Sequence, residues 1–264
     1  MAFSWRPVHS STGGAIGIFL AIAAWEQAAS HLVPLILPSP RLVLAESIKL
    51  LSDRAGWEAI APTAYRASIG FAVGFAAGMI IGVIAGSSRA FDKAADPVVT
   101  LLMAMPPIAW VVLALIWFGI NDGAALFTVA VTVGPVMAVA ARGGLAARDP
   151  GLDRMAELFE APATVRLIDV RMPQIVSHIA PAGITALALA VKVAVMVELL
   201  ALADGLGAAL ARARVDLEST RAFAWIVIML VLVLGFERGV LRPLHRHVER
   251  WRNSQMPMSP AGHT

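Results

Sequence analysis

Residues 69–86 read Ile69-Gly70-Phe71-Ala72-Val73-Gly74-Phe75-Ala76-Ala77-Gly78-Met79-Ile80-Ile81-Gly82-Val83-Ile84-Ala85-Gly86, with a glycine at every fourth position. Four residues advance a helix by slightly more than one turn, so Gly70, Gly74, Gly78, Gly82 and Gly86 form one bare, slowly turning stripe. No charged residue interrupts the run from Ala67 to Ser88. About 20 such residues cross the hydrocarbon core of a bilayer. Lipid offers helices no hydrophobic reason to associate, so close backbone approach along a stripe of small residues is the expected means of packing. The five glycines are therefore assigned to helix packing.

Working outward, the same character holds for most of the chain. Of its 264 residues, 58% are hydrophobic and 15% charged, and the mean hydropathy is +0.75. A soluble domain of this length needs far more polar surface. The sequence predicts an all-α fold, an integral membrane bundle of about six transmembrane helices in a single domain over 1–264. The spans fall at about 13–33, 67–87, 97–119, 124–141, 175–202 and 222–241. Residues 41–65 mix charges with apolar positions, as in an amphipathic helix lying at an interface or against the protein. Residues 142–173 are the longest polar stretch, a loop with short helices of its own. Trp5, Arg6 and His9 before an apolar run also fit a signal peptide, though no clear small-residue cleavage site precedes Pro34.

The net charge of +3 is carried mostly by arginine beside apolar runs, which fits membrane topology better than nucleic-acid binding. The N-terminus, the turn at 88–96, the loop at 142–173 and the basic tail fall on one side and hold most of the arginines. The positive-inside rule makes that side cytoplasmic and leaves both termini there. Cysteine is absent, which excludes disulfides and thiolate metal sites. His9, His31, His178, His245 and His247 show no triad or metal-ligand spacing, so no catalytic and no metal residues are assigned. His245 and His247 stand among Arg242, Arg246 and Arg250 and read as part of a basic tail. His178 and Glu237 border spans as interfacial hydrogen-bonding groups.

Two features inside the apolar spans stand out. Met105, Pro106 and Pro107 interrupt the third, and the kink is either a packing adjustment or part of a pathway wall. Lys192 lies near the middle of the fifth, where a lysine costs roughly 2.5–3.5 kcal/mol on insertion scales. It either faces a translocation path and attracts an anion, pairs with Glu198 or Glu26, or snorkels to a surface. Glu198 is six residues further on, on another face, and so is a poor intrahelical partner. Met105, Pro106, Pro107, Lys192 and Glu198 are the candidate pathway residues. A P-loop requires a lysine directly after glycine. None of Lys49, Lys93 and Lys192 follows one, so nucleotide must be bound by another chain.

The order of several strings resembles the permease subunits of bacterial ABC importers of the nitrate, sulfonate and taurine group, over about 25–252. These strings are Leu37-Pro38-Ser39-Pro40, Tyr65-Arg66 through Gly86, Met105-Pro106-Pro107-Ile108-Ala109-Trp110 and Ile116-Trp117-Phe118-Gly119-Ile120. Asp149-Pro150, Met172-Pro173, Glu198-Leu199 before Gly205-Leu206-Gly207, and Arg250-Trp251-Arg252 complete the set. The resemblance implies a type I importer subunit in the bacterial inner membrane, working with two ATP-binding subunits, a second permease and an extracytoplasmic solute-binding protein. It implies no cofactor on this chain, ATP and Mg on the partner, and a small anion such as nitrate or a sulfonate as substrate.

The resemblance also implies that the loop before the fifth span couples to the ATPase through Glu-Ala-Ala, a later glycine, and an apolar residue with proline. Here Arg154, Met155 and Ala156 stand in place of Glu-Ala-Ala, and Glu160 stands in place of the glycine. Arg154, Met155, Ala156, Glu157, Phe159, Glu160, Ala161 and Pro162 are the candidate coupling residues. Glycine adopts conformations that glutamate reaches only at a cost, and Arg for Glu reverses a charge. Pairing with a second, more typical permease in a heterodimer and drift within a homodimer both fit this departure. A secondary transporter or another integral membrane protein is the alternative, but the former commonly shows repeated broken helices. The prolines at 106, 107 and 135 have no clear second copy.

Overall fold

The computed structural model describes residues 11–236. The basic start at Trp5–His9, Glu237, the end of the sixth expected span and the tail with His245 and His247 lie outside the described residues. Within them the chain is helical throughout, with helices α1 (Ser11–His31), α2 (Pro40–Ser52), α3 (Arg54–Ser87), α4 (Arg89–Ala104), α5 (Pro107–Phe118) and α6 (Asp122–Ala146) in the first part. Then come α7 (Pro150–Leu158), the single turn α8 (Ala163–Val165), a π-helical segment Arg166–Arg171, α9 (Met172–Leu200), α10 (Leu206–Val215) and α11 (Ser219–Phe236). Among the described residues, α3, α6 and the continuous run Ala163–Leu200 are long and apolar enough to cross a membrane. The bent pair α4 and α5 makes a fourth crossing if counted as one.

Two expectations need correcting. Residues 41–65 are not one amphipathic helix, because Asp53 is extended (φ −95°, ψ 149°) and ends α2. Residues 54–65 are instead the first turns of α3, whose 34 residues reach about 51 Å at 1.5 Å each. The interruption expected in 97–119 at Met105-Pro106-Pro107 is present but is a full break rather than a kink, since α4 and α5 meet at 97°. A residue before proline is pushed out of the helical region. Met105 precedes Pro106 and Pro106 precedes Pro107, and both are extended, with ψ of 129° and 139°.

The described residues form two compact units, residues 11–57 with 209–228 and residues 58–208 with 229–236. In the first unit, the Trp25 indole donates to the Pro38 carbonyl at 3.1 Å and its ring lies 6.0 Å from that of Phe223. The hydroxyl of Ser219 donates to the Leu35 carbonyl, and buried Ser47 bonds the Val43 carbonyl at 2.7 Å. The proline-rich segment after α1 is thereby tied to the beginning of α11.

The second unit is built around α6. Val129, Val133, Met137 and Ala141 of this helix are fully buried, together with Ala186, Ala190 and Ala194 of α9. The glycine stripe of α3 lies against α6 at a constant offset: Gly70 on Val129, Gly74 on Val133, Gly78 on Met137, Gly82 on Ala141 and Gly86 on Leu145. An unchanging separation of 59 positions means that α3 and α6 run parallel, turn for turn, over the whole stripe. A Cβ on Gly70, Gly74, Gly78 or Gly82 would fall less than 3.0 Å from α6. On the other side of α6, Phe127 packs against the rings of Trp110, Trp117 and Phe118 from α5.

Candidate functional site: an ion-paired bundle, a polar helix stripe and an exposed loop

At one end of the second unit, Arg66 gathers three carboxylates. It enters on α3 one turn after Thr63, and its guanidinium is 3% exposed. Nε donates to Asp122 at 2.8 Å, Nη1 to Glu198 at 2.9 Å and to the Asp204 carbonyl at 3.0 Å, and Nη2 to the Asp204 carboxylate at 2.6 Å. Glu198 is fully buried and also accepts from the Thr63 hydroxyl at 2.7 Å and the Gly207 amide at 3.1 Å. The Thr63 oxygen in turn accepts the Leu206 amide at 2.9 Å. A buried charge is stable only when paired and hydrogen-bonded. Here one planar fork binds the ends of α3, α6 and α9 and the start of α10 together.

The Gly205-Leu206-Gly207 string belongs to this arrangement. Gly205 has φ +106°, and a Cβ there would fall within the Glu198 carboxylate. Glycine adopts such a φ readily, and its bare α-carbon lets the chain lie over the acid. All of Glu198's acceptor capacity is turned inward, toward Arg66, Thr63 and Gly207. Nor does it pair with Lys192, since its cation is Arg66.

A second arginine closes the opposite end. Arg142, near the end of α6, donates from Nη1 to Asp92 at 2.8 Å and Asp96 at 2.6 Å, both on the first two turns of α4. These groups are partly exposed.

Lys192 is exposed on α9 and makes no ion pair among the described residues. Met105 and Pro107 are half-buried and Pro106 exposed at the 97° break.

The loop between α6 and α9 begins with Asp149, which caps α7 by accepting from the Gly151 amide at 2.7 Å. Asp153 pairs with Arg171 at 3.0 Å and Glu157 with Arg166 at 3.6 Å, folding α7 back along the π-helical segment. Glu160 has φ +49°, the left-handed region. The backbone conformation that suits glycine is thus present with a glutamate in it. It lets the Ala161 amide return to the Ala156 carbonyl at 3.0 Å before Pro162 redirects the chain. Met155, Leu158 and Phe159 are left 54%, 85% and 78% exposed at the tip. Arg154, Glu157 and Glu160 are exposed beside them, with Ala156 and Ala161 half-buried.

Sequence reasoning missed Thr63, Arg66, Asp122 and Asp204 as site residues. The available signal was a single arginine one turn into an apolar run, which in a membrane needs a partner.

Among the described residues no group of three or more His, Asp or Glu is placed to hold a metal ion. The fold is shared with solved chains from ABC transporters. It matches a chain of an amino acid ABC transporter solved with histidines, with TM-score 0.58 and 20% identity over 72% of this chain and 92% of that one. It also matches a chain of the MetNI methionine ABC transporter in an inward-facing conformation, with TM-score 0.56 and 19% identity over 74% and 93%. The chain belongs to the family of binding-protein-dependent transport system inner membrane components, whose model matches residues 75–244. It is thus a multi-pass inner-membrane transport component rather than an enzyme. A curated relative is the aliphatic sulfonates transport permease protein SsuC of Escherichia coli (strain K12), 36% identical over 155 residues. That match spans 58% of this chain and 59% of the relative's length.

Proposed function

We propose that this chain is the membrane-spanning subunit of an ATP-driven importer of sulfonates or related small organic anions. The family supports the class, and the likeness to the sulfonate relative supports the substrate. The observation that carries the coupling role is the loop at 149–173. Its apolar tip, Met155, Leu158 and Phe159, protrudes beside a left-handed residue at the position where the resembled family has glycine. An apolar tip of this kind suits a groove in an ATP-binding subunit. Arg154, Ala156, Glu157, Glu160, Ala161 and Pro162 would shape and flank the contact.

In this reading two ATP-binding subunits hold ATP and Mg, a second permease completes the path, and an extracytoplasmic solute-binding protein delivers substrate. The Arg142 end and the loop face the cytoplasm with both termini, and the Arg66 end faces outward. The helix break at Met105, Pro106 and Pro107 and the charge at Lys192 belong to the path. Gly70, Gly74, Gly78, Gly82 and Gly86 hold α3 to α6. Residues 1–264 belong to a single transmembrane permease domain. Reversing the charge at Arg154, with a Glu-Ala-Ala triplet restored, tests whether the partner is unusual. A complex that contains one permease species would establish a homodimer.

The deciding experiment is uptake of a labelled short-chain sulfonate into vesicles holding the complete complex. Substituting the P-loop lysine of the ATPase should abolish it. Uptake that persists and follows an ion gradient would refute the importer in favour of a secondary transporter.

A further inference from the structure

Along α9, three polar residues are exposed at a spacing of seven: His178, Thr185 and Lys192. Seven residues fall 20° short of two turns, so the three lie within a 40° sector of one face. Gln174, half-buried, lies on the same face one turn before His178. His178 and Thr185 both line a cleft of about 450 Å³, shared with Met103 of α4 and with Val139 and Gly143 of α6. Lys192 stands two turns, roughly 10 Å, beyond Thr185.

A lysine near the middle of a long, mostly apolar helix requires water or an acid beside it. No acid pairs with it among the described residues. The only carboxylate on α9, Glu198, is buried and committed to Arg66. The free charge on this helix is therefore positive, and no carboxylate lines the cleft. His178 approaches the Gln174 carbonyl through Nδ1 at 3.2 Å. Its Nε2 has no partner among the described residues and is the nitrogen left to meet a ligand.

We infer that His178, Thr185 and Lys192 form a water-filled track for an anion, with Lys192 supplying the charge that selects a sulfonate-type head group. The inference rests on the proposed transport reading and adds to it a residue set and a reason for anion preference. The cleft gives the track an opening wide enough for a small organic anion, and the seven-residue spacing gives successive polar stations on one face. Lys192 attracts the head group along the path.

The chain has no cysteine, so single cysteines report accessibility without background. In the complete complex, His178→Cys, Thr185→Cys and Val176→Cys are exposed to two water-soluble methanethiosulfonates, one ending in ethylsulfonate and one in ethyltrimethylammonium. Val176 faces 160° away from Lys192 and serves as the control. We expect labelling at 178 and 185 but not at 176. At 185 the ratio of sulfonate to cationic rate, each taken relative to the reagent's rate with a free thiol in solution, should rise by about four-fold if the path has the dielectric of water, and by more if it is drier. Adding Lys192→Met should erase that preference, and Lys192→Arg should keep it.

No labelling at 178 and 185, or labelling equal to that at 176, overturns the track. Labelling with a charge preference indifferent to Lys192→Met overturns the role of the lysine. The transport reading fails separately, through ATP-independent uptake, and would leave these labelling results unchanged.

Discussion

Gly78 and Gly134 face one another across the contact of α3 with α6, yet alanine should affect them unequally. A Cβ on Gly78 would lie 2.7 Å from the Met137 Cβ and closer still to the Gly134 carbonyl oxygen. Ordinary contact begins at 3.4 Å, so the helices must part by about 0.7 Å at Met137 and by more at the carbonyl. Backbone cannot swing aside as a side chain does. Overpacking of this kind costs about 1–3 kcal/mol, and about 1 kcal/mol is recovered from the better helix propensity of alanine. A Cβ on Gly134 meets its nearest neighbour, the Gly74 carbonyl oxygen, at 3.7 Å, which is ordinary contact. There the propensity gain has no clash to offset it. Gly134→Ala should therefore be neutral or stabilising and Gly78→Ala the more damaging, a gap equal to the overpacking cost of about 1–3 kcal/mol, or roughly 5- to 150-fold in the folded equilibrium. Thermal melts of the purified complex in detergent, followed by tryptophan fluorescence and by the fraction surviving size exclusion, measure it. Equal effects of the two alanines, or a more damaging Gly134→Ala, would refute the geometry of the stripe.

Arg66→Met leaves Glu198 buried without a cation and should cost about 3–5 kcal/mol, while Glu198→Gln leaves Arg66 with Asp122 and Asp204 and should cost about 1–2 kcal/mol; melts of both variants check the order. Gly205→Ala places a methyl within the Glu198 carboxylate at φ +106° and should lower the amount of folded complex as severely as Arg66→Met, read by detergent-resistant yield. Glu160→Gly should leave the melt nearly unchanged, because the relief of about 1 kcal/mol of left-handed strain is offset by glycine's greater freedom in the unfolded chain. Glu160→Val should reduce both the melt and ATP-driven uptake, and a tolerated valine would show that the left-handed turn is dispensable.

The glycine stripe was legible because its period is that of the helix and every member acts on the same neighbour. The break at Met105-Pro106-Pro107 was legible for a related reason: proline acts on the residue just before it. Its size was not, since the 97° bend is set by what α4 and α5 each pack against. The left-handed residue at Glu160 was signalled by a family position that ordinarily holds glycine. The Arg66 cluster was hidden because its partners lie 56, 132 and 138 positions away. Helical spacing already set Glu198 apart from Lys192, but nothing near it in sequence pointed to Arg66 as its cation. The length of α3 was missed because charged residues over 54–65 suggested a separate surface helix, where the backbone continues unbroken.

The two arginine clusters act on the same helix. Asp122 fastens the first residue of α6 to α3, and Arg142 fastens its last turns to α4. Between these ends α6 is held along its length by the glycines of α3 and by α9. Pinned at both ends and gripped at the side, α6 has no cheap way to slide or tilt within its unit. It is an axle. The two rods that meet at 97° are both mounted on it, α4 through the Arg142 pairs and α5 through the rings around Phe127, so the shaft carries the joint.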